Sequence, residues 1–281
     1  MTPDTVLLYD FDGLPAGDSG STLLIMGPSV NYAPDDVSRV RAFLREGGRV
    51  VVMDDFGTAG GLLRDIDSPI TIIHLALCQD VDYYMKPSFP VVSDINNSSL
   101  TANVGQLVFN HPAPLQVTGD AEVLARTTSI GWLDIDDNGG VSSGERFDSY
   151  PMIARASIGA GELFVFDDAD LAINAMQGLG DNSVLTGNIQ RSGAVYLDVG
   201  HGQQMPPLSR LYYAVKYDLF AQILLISIIF ILGYAYVAFG RRFRRCEQET
   251  PRTDPKDALI ASMKARLPLS DREIEELKKK L

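Results

Sequence analysis

Alternation and clustering of apolar residues divide the chain into a long mixed stretch, one uninterrupted apolar run and a polar tail. Thr22–Met26 (TLLIM) is a continuous apolar run stopped by Gly27-Pro28, the pattern of a strand buried on both faces. Pro34-Asp35-Asp36 then opens a helix that places Val37, Val40, Phe43 and Leu44 on one face and ends at Gly47-Gly48. Arg49–Met53 (RVVVM) reads as a second buried strand, so strand, helix and strand form a βαβ unit and imply a parallel sheet. Thr58–Asp65 reads as a short helix and Ile70–Ile73 as a third strand. Short strand-like runs follow at Gln106–Phe109, Leu115–Thr118, Glu122–Arg126 and Thr128–Leu133. Met152–Ala156, Glu162–Phe166 and Ala194–Asp198 complete the sheet, with a helix expected over Asp170–Leu179. Residues 5–20 read as an irregular, exposed entry, and residues 80–104 as loop and edge material.

Leu219–Phe239 carries no charge and is flanked by Asp218 and by Arg241, Arg242, Arg244 and Arg245. As a helix of about 30 Å it fits a transmembrane span, and the arginines place its far end in the cytoplasm. The expected organisation is an extracytoplasmic α/β domain over 1–210, a single-pass transmembrane helix over 219–239 and a basic cytoplasmic tail over 240–281, anchored in the cell membrane. In the tail, Asp254-Pro255 starts a helix through about Arg266, Pro268 breaks it, and Ser270 with Glu273 opens a final one. The chain starts without a basic and apolar leader, so a signal or span is expected upstream.

Charge sharpens this division. Residues 1–218 hold 12 Lys/Arg against 28 Asp/Glu, which disfavours nucleic-acid binding, whereas residues 219–281 hold 12 against 8. Cys78 and Cys246 fall on opposite sides of the expected span and imply no disulfide.

The sharpest chemical motif is Asp134-Ile-Asp136-Asp-Asn138-Gly139-Gly140-Val141-Ser142-Ser-Gly-Glu145. Oxygen ligands at places 1, 3, 5, 7 (the Gly140 carbonyl), 9 and 12, with glycine at 6, match a twelve-residue calcium loop. A hard cation takes six to eight oxygens, and the loop closes around it when the sixth residue accepts a positive φ. A structural Ca2+ is therefore expected, held by Asp134, Asp136, Asn138, Gly140, Ser142 and Glu145; the plainer alternative is an acidic surface turn without an ion. Asp54, Asp55 and Gly57, at the end of the second strand, form a possible ligand site, against the plainer use of a carboxylate as a helix cap. His74, His111 and His201 show no metal spacing, and no nucleophile elbow surrounds Cys78 or any serine, so no catalytic residue is assigned. Asp198 and His201 are placed for a local hydrogen bond.

Several segments together resemble a known family: LLIMGPSVNYAPDDVSRVRAFLREGGRVVVMDDFGTAGGLL, WLDIDDNGGVSSGE, YPMIARASIGAGELFVFDDADLAINAM and YLDVGHG. They resemble an uncharacterised family of membrane-anchored proteins, domain of unknown function 4350. The resemblance implies a flavodoxin-like, class I glutamine amidotransferase-like fold that lacks the catalytic cysteine. It also implies genetic neighbours, and hence partners, of the MoxR-type ATPase and von Willebrand A-type kinds. Relative to the family pattern, this chain has no span before the domain and has Val199 where an acidic residue follows Asp198. The expected function is a non-catalytic binding or scaffold protein of an envelope complex; the alternative is a hydrolase or ligand-sensing domain using Asp54 and Asp55.

Overall fold

A computed structural model describes residues 5–191, 193–202, 219–248, 254–267 and 270–280. The chain divides into two units, Met1–Gln204 and Met205–Leu281.

In the first unit the chain enters through β1 (Thr5–Leu8), passes a 3₁₀ turn, and continues into β2 (Ser21–Met26), α1 (Pro34–Arg45), β3 (Arg49–Met53) and α2 (Ala59–Asp65). A long excursion carries seven short strands: β4 (Ile70–Ile72), β5 (Ala76–Gln79), β6 (Val91–Val92), β7 (Asp94–Ile95), β8 (Leu107–Val108), β9 (Leu115–Val117) and β10 (Glu122–Arg126). After β11 (Gly131–Asp134) come β12 (Pro151–Ile158), β13 (Gly161–Phe166), a 3₁₀ turn at Ala169–Ala172, α3 (Asn182–Arg191) and β14 (Ala194–Asp198).

Eight strands form one sheet in the order β1-β14-β2-β3-β13-β12-β10-β7. The block from β1 to β13 is parallel, and β12, β10 and β7 add antiparallel neighbours. This corrects the expected flavodoxin-like, amidotransferase-like parallel sheet. The physical reason lies in Gly159-Ala160, the two residues left between the paired Ile158 and Gly161, because so short a turn can only join antiparallel strands. The other strands make three two-stranded ribbons, β5 with β11, β4 with β9 and β6 with β8.

One face of the sheet is covered by α1 and α2, whose Val40, Phe43, Leu44, Leu62 and Leu63 pack on Leu23, Val50, Val52 and Val165. On the other face Leu171, Leu185 and Ile189 lie in one cluster with Val51, Met53, Phe164 and Phe166. The expected irregular entry is instead an edge strand, largely exposed as expected, with a buried Phe11 beside it. The helix expected over Asp170–Leu179 is a short 3₁₀ turn and further turns, and the helix begins at Asn182. Buried Asn182 explains the shift: its amide donates to the carbonyl of Val108 (2.8 Å) and accepts from the Val108 N–H (3.1 Å), closing β8 against the helix start.

The second unit contains α4 (Leu219–Gln248), α5 (Pro255–Arg266) and α6 (Asp271–Lys280). The expected transmembrane helix is corrected, since no helix among the described residues is long and apolar enough to cross a membrane. The helix does not end with the uncharged run but continues through Arg241–Arg245 to Gln248. Asp254 caps α5 through the Lys256 N–H, and Glu273 reaches back to the Ser270 N–H at 2.9 Å.

Candidate functional site

Two acidic constructions stand out in the first unit. The first is the Asp134–Glu145 loop, which leaves β11 where Asp134 pairs with Ala76 of β5. The Asp134 carboxylate accepts the N–H groups of Asn138 (3.0 Å) and Gly139 (2.9 Å), which curls the loop back on its first residue. Gly139 takes φ +74°, as the sixth place requires. At the other end the two Glu145 oxygens accept from Ile135 and Ser142 N–H groups, each at 2.7 Å. The Asn138 amide reaches the Ser142 hydroxyl (2.6 Å), which donates to Asp136 (2.8 Å). As a result one oxygen each from Asp134, Asp136 and Glu145 lie within 4.8 Å of one another, the one such grouping among the described residues. Three carboxylates with an amide, a hydroxyl and the Gly140 carbonyl in the same loop are the donor set of a hard, oxygen-preferring cation.

The second construction lies at the carboxyl ends of β3 and β13. The elements after these neighbours leave to opposite faces of the sheet: α2 packs on one, whereas Leu171 and α3 pack on the other. A crevice at such a divergence is where open α/β sheets bind ligands. Here it measures about 590 Å³ and is walled by Pro28, Asp55, Phe56, Thr58, Asp170 and Ile173, among others.

Both strands end in an Asp-Asp doublet, Asp54-Asp55 and Asp167-Asp168. The register, Met53 beside Phe166, continued by the Asp54 N–H to the Phe166 carbonyl, brings the doublets side by side. Asp54 is fully buried and accepts from Gly57 (3.1 Å) and Ala59 (3.0 Å), so it caps α2. Gly57 is required there, because a Cβ would fall 2.3 Å from the Asp54 carboxylate and 2.4 Å from the Pro28 carbonyl. Burial pushes Asp54 up to about 6 despite these N–H groups. Asp168 accepts from the N–H groups of Asn110 (2.5 Å) and Asp170 (2.7 Å), yet burial raises it to about 8. Asp167 is fully buried and neither carboxyl oxygen has a hydrogen-bond partner. Burial, reinforced by the charges of Asp168 and Asp55, holds it well above the carboxylate range. Asp170, also raised by burial and by Asp55, accepts from the Asn110 amide. Asp55 is half-buried and bonds only the N–H of Phe56.

Of the expected ligand residues, then, the structure brings Asp54, Asp55 and Gly57 to one crevice but commits Asp54 and Gly57 to the turn. Asp170, which also lines the crevice, was missed, as were the buried Asp167 and Asp168 at the end of the neighbouring strand. The repeated ending of the two strands, VVVMDD and LFVFDD, was the available signal.

The expected Asp198–His201 bond forms, with Nδ1 at 3.1 Å from both carboxylate oxygens. The structure adds Tyr32, which donates to Asp198 (2.9 Å) and stacks on the imidazole at 4.1 Å, and Asp36, 3.4 Å from Nε2. Asp36 also accepts from the Ala33 N–H at the start of α1, so this network ties the end of β14 to the loop after β2. His111 packs against Phe56, with ring centroids 6.0 Å apart, and His74 is exposed. Cys78 is buried, and burial with the charges of Asp134 and Glu145 pushes its thiol up to about 12, which suppresses the thiolate.

The fold and this site define a mixed α/β domain with a strand-end crevice and a separate oxygen-rich loop. The chain belongs to the family described as domain of unknown function (DUF4350), whose profile covers residues 3–189. No curated protein matches the sequence. Among solved structures, the mmIFT52 N-terminal domain is 20% identical over 60% of this chain and 74% of its own, with a TM-score of 0.47. The exo-β-1,4-mannosidase Op5Man5 from Opitutaceae bacterium strain TAV5 is 17% identical over 61% of this chain, with a TM-score of 0.32. A β-galactosidase from Bacillus circulans sp. alkalophilus is 16% identical over 61%, with a TM-score of 0.36. The chain spans 24% and 22% of these two glycosidases.

Proposed function

We propose that this chain is a non-catalytic binding or scaffold protein whose α/β domain is clipped by a structural calcium ion at Asp134–Glu145. The convergence of Asp134, Asp136 and Glu145 within 4.8 Å carries the calcium reading. The loop joins β11, which pairs with β5 in a two-stranded ribbon and bridges Asp148 through Gly131, to β12 in the main sheet, so an ion there would tighten the link between the excursion and the core. We place the domain outside the cell, where such a loop need bind only at about 10⁻⁴–10⁻³ M to be occupied. MoxR-type ATPases and von Willebrand A-type proteins, implied by the family resemblance, are the first partners to test in an envelope complex.

Trp132, the single tryptophan, is buried two residues before Asp134 and reports on the loop directly. Calcium titration of the full chain should shift Trp132 emission and raise the thermal midpoint, and Glu145→Gln should abolish both responses. Equal midpoints in chelator and in excess calcium would refute the clip.

A second reading, a hydrolytic or ligand-sensing crevice at Asp54 and Asp55, is favoured by the position between β3 and β13. Its test is function after Asp54→Asn and Asp55→Asn, which a scaffold tolerates and an active site does not. The capping duty of Asp54 leaves Asp55 as the informative position.

A further inference from the structure

The two edges of the eight-stranded sheet are built differently. At one end β7 (Asp94–Ile95) is two residues long and opens with a charge, so little of it can pair with another chain. At the other end β1 (Thr5–Leu8) pairs with β14 alone, and no strand lies beyond it among the described residues. Edge strands are normally protected by a lysine, a proline or a bulge. The run Thr5-Val6-Leu7-Leu8-Tyr9 has neither charge nor proline, and its register with β14 is unbroken.

This edge is also apolar: Val6 is 44% exposed, Leu7 49% and Tyr9 76%. The Leu8 carbonyl accepts the Val199 N–H at 2.8 Å, which turns the backbone groups of Leu8 toward β14. Those of Leu7, one position earlier, therefore face the open edge. Side chains alternate between the faces of a sheet, so Val6 lies on one face and Leu7 on the other. A strand added here meets apolar surface on both faces and is matched by a continuous apolar run, not by an alternating one. The ends of the run are acidic: Asp4 precedes it in sequence, and exposed Asp10 follows.

We infer that the free edge of β1 takes up an extended segment of a partner protein as an added strand, an apolar run matching the four residues of β1 and bounded by lysine or arginine. Main-chain hydrogen bonds to Thr5 and Leu7 hold it, the side chains of Val6 and Leu7 cover it, and Asp4 and Asp10 select its basic ends. A second copy of this chain fits less well. Two-fold pairing of β1 with itself is antiparallel and brings Asp10 of each copy toward Asp4 of the other, which sets like charges together. The surface serves the scaffold reading, yet calcium titration tests that reading by itself, so either can fail alone.

The test is fluorescence anisotropy of labelled octapeptides with the full chain at about 0.15 M salt, where long-range attraction is screened. One peptide carries four central valines between two lysine pairs; a second has glutamates in place of the lysines. Saturable one-to-one binding of the lysine peptide is expected, weakened about tenfold or more by Leu7→Pro, which removes the outward N–H and leaves the bonds to β14 in place. An unchanged thermal midpoint shows that this variant folds, and Leu7→Lys, which keeps the N–H but charges the edge, gives a second reading. Equal affinity of the parent and both variants would be general attraction to an acidic domain and would overturn the inference. Equally tight binding of the glutamate peptide would overturn the basic-ended occupant. Failure of the lysine peptide to bind would overturn the inference as a whole, and self-association abolished by Leu7→Pro in sedimentation would then make a second copy the occupant.

Discussion

The Asp134–Glu145 loop and the strand-end crevice use the same side chain to opposite ends. In the loop, acids at alternate places around Gly139 are turned inward, and backbone N–H groups hold only part of their oxygen surface, leaving the rest facing a common point. In the crevice, acids are paired in sequence and sit at the ends of neighbouring strands. Alternation along a strand sends adjacent side chains to different faces, so the doublets diverge. Asp54 is used up by a helix start, Asp168 by a turn, and Asp167 is left buried without a partner. Acidity alone therefore says little; spacing relative to the local backbone repeat decides whether carboxylates become a cation cage or a set of caps.

The largest effect expected from breaking this contrast is at Gly57. Gly57→Ala pushes a methyl into the Asp54 carboxylate and the Pro28 carbonyl, and should cost about 3 kcal/mol or more in urea unfolding, because backbone cannot yield as a side chain can. Next comes the ion itself: at a free calcium concentration about 100 times the dissociation constant, the folded state should gain about 2.7 kcal/mol, and Asp134→Asn should remove most of it.

The third prediction is a pH dependence. Asp168 titrates in the folded state at about 8, above its unfolded value of 3.8, so the folded chain holds this proton more tightly. Its contribution is most favourable below the unfolded value and is lost as pH rises toward about 8, at a limiting slope of about 1.4 kcal/mol per pH unit. Between these limits the parent should lose stability relative to Asp168→Asn; parallel pH profiles would show that the proton is not held there. Smallest is Asp55→Asn, which should change stability in urea unfolding by less than about 0.5 kcal/mol.

The βαβ unit from Thr22 to Met53 was legible because α1 has a proline start, an apolar face and a glycine end, and both strands are continuous apolar runs. The antiparallel half was also encoded, in Gly159-Ala160, but a two-residue turn is a weaker mark than a long periodic segment. The displaced helix start at Asn182 depends on a hydrogen bond to Val108, 74 positions earlier, which no local window contains. Leu219–Phe239 misled because an uncharged run does not locate where its helix ends: α4 runs on to Gln248. For the site, the grouping of Asp134, Asp136 and Glu145 was readable as a spacing, whereas bringing the Asp54-Asp55 and Asp167-Asp168 doublets side by side needed the sheet order, which puts β3 beside β13.

Sheet order also sets a timetable for the ribosome. β14 lies between β1 and β2, so β1 has no neighbour in the sheet until residues 194–198 have been synthesised. Until then β2 presents an open apolar edge, Leu23 to Met26, to whatever else is nearby. Chaperone attention should therefore fall on the nascent chain while the excursion is emerging, and should end abruptly when β14 slides into its slot.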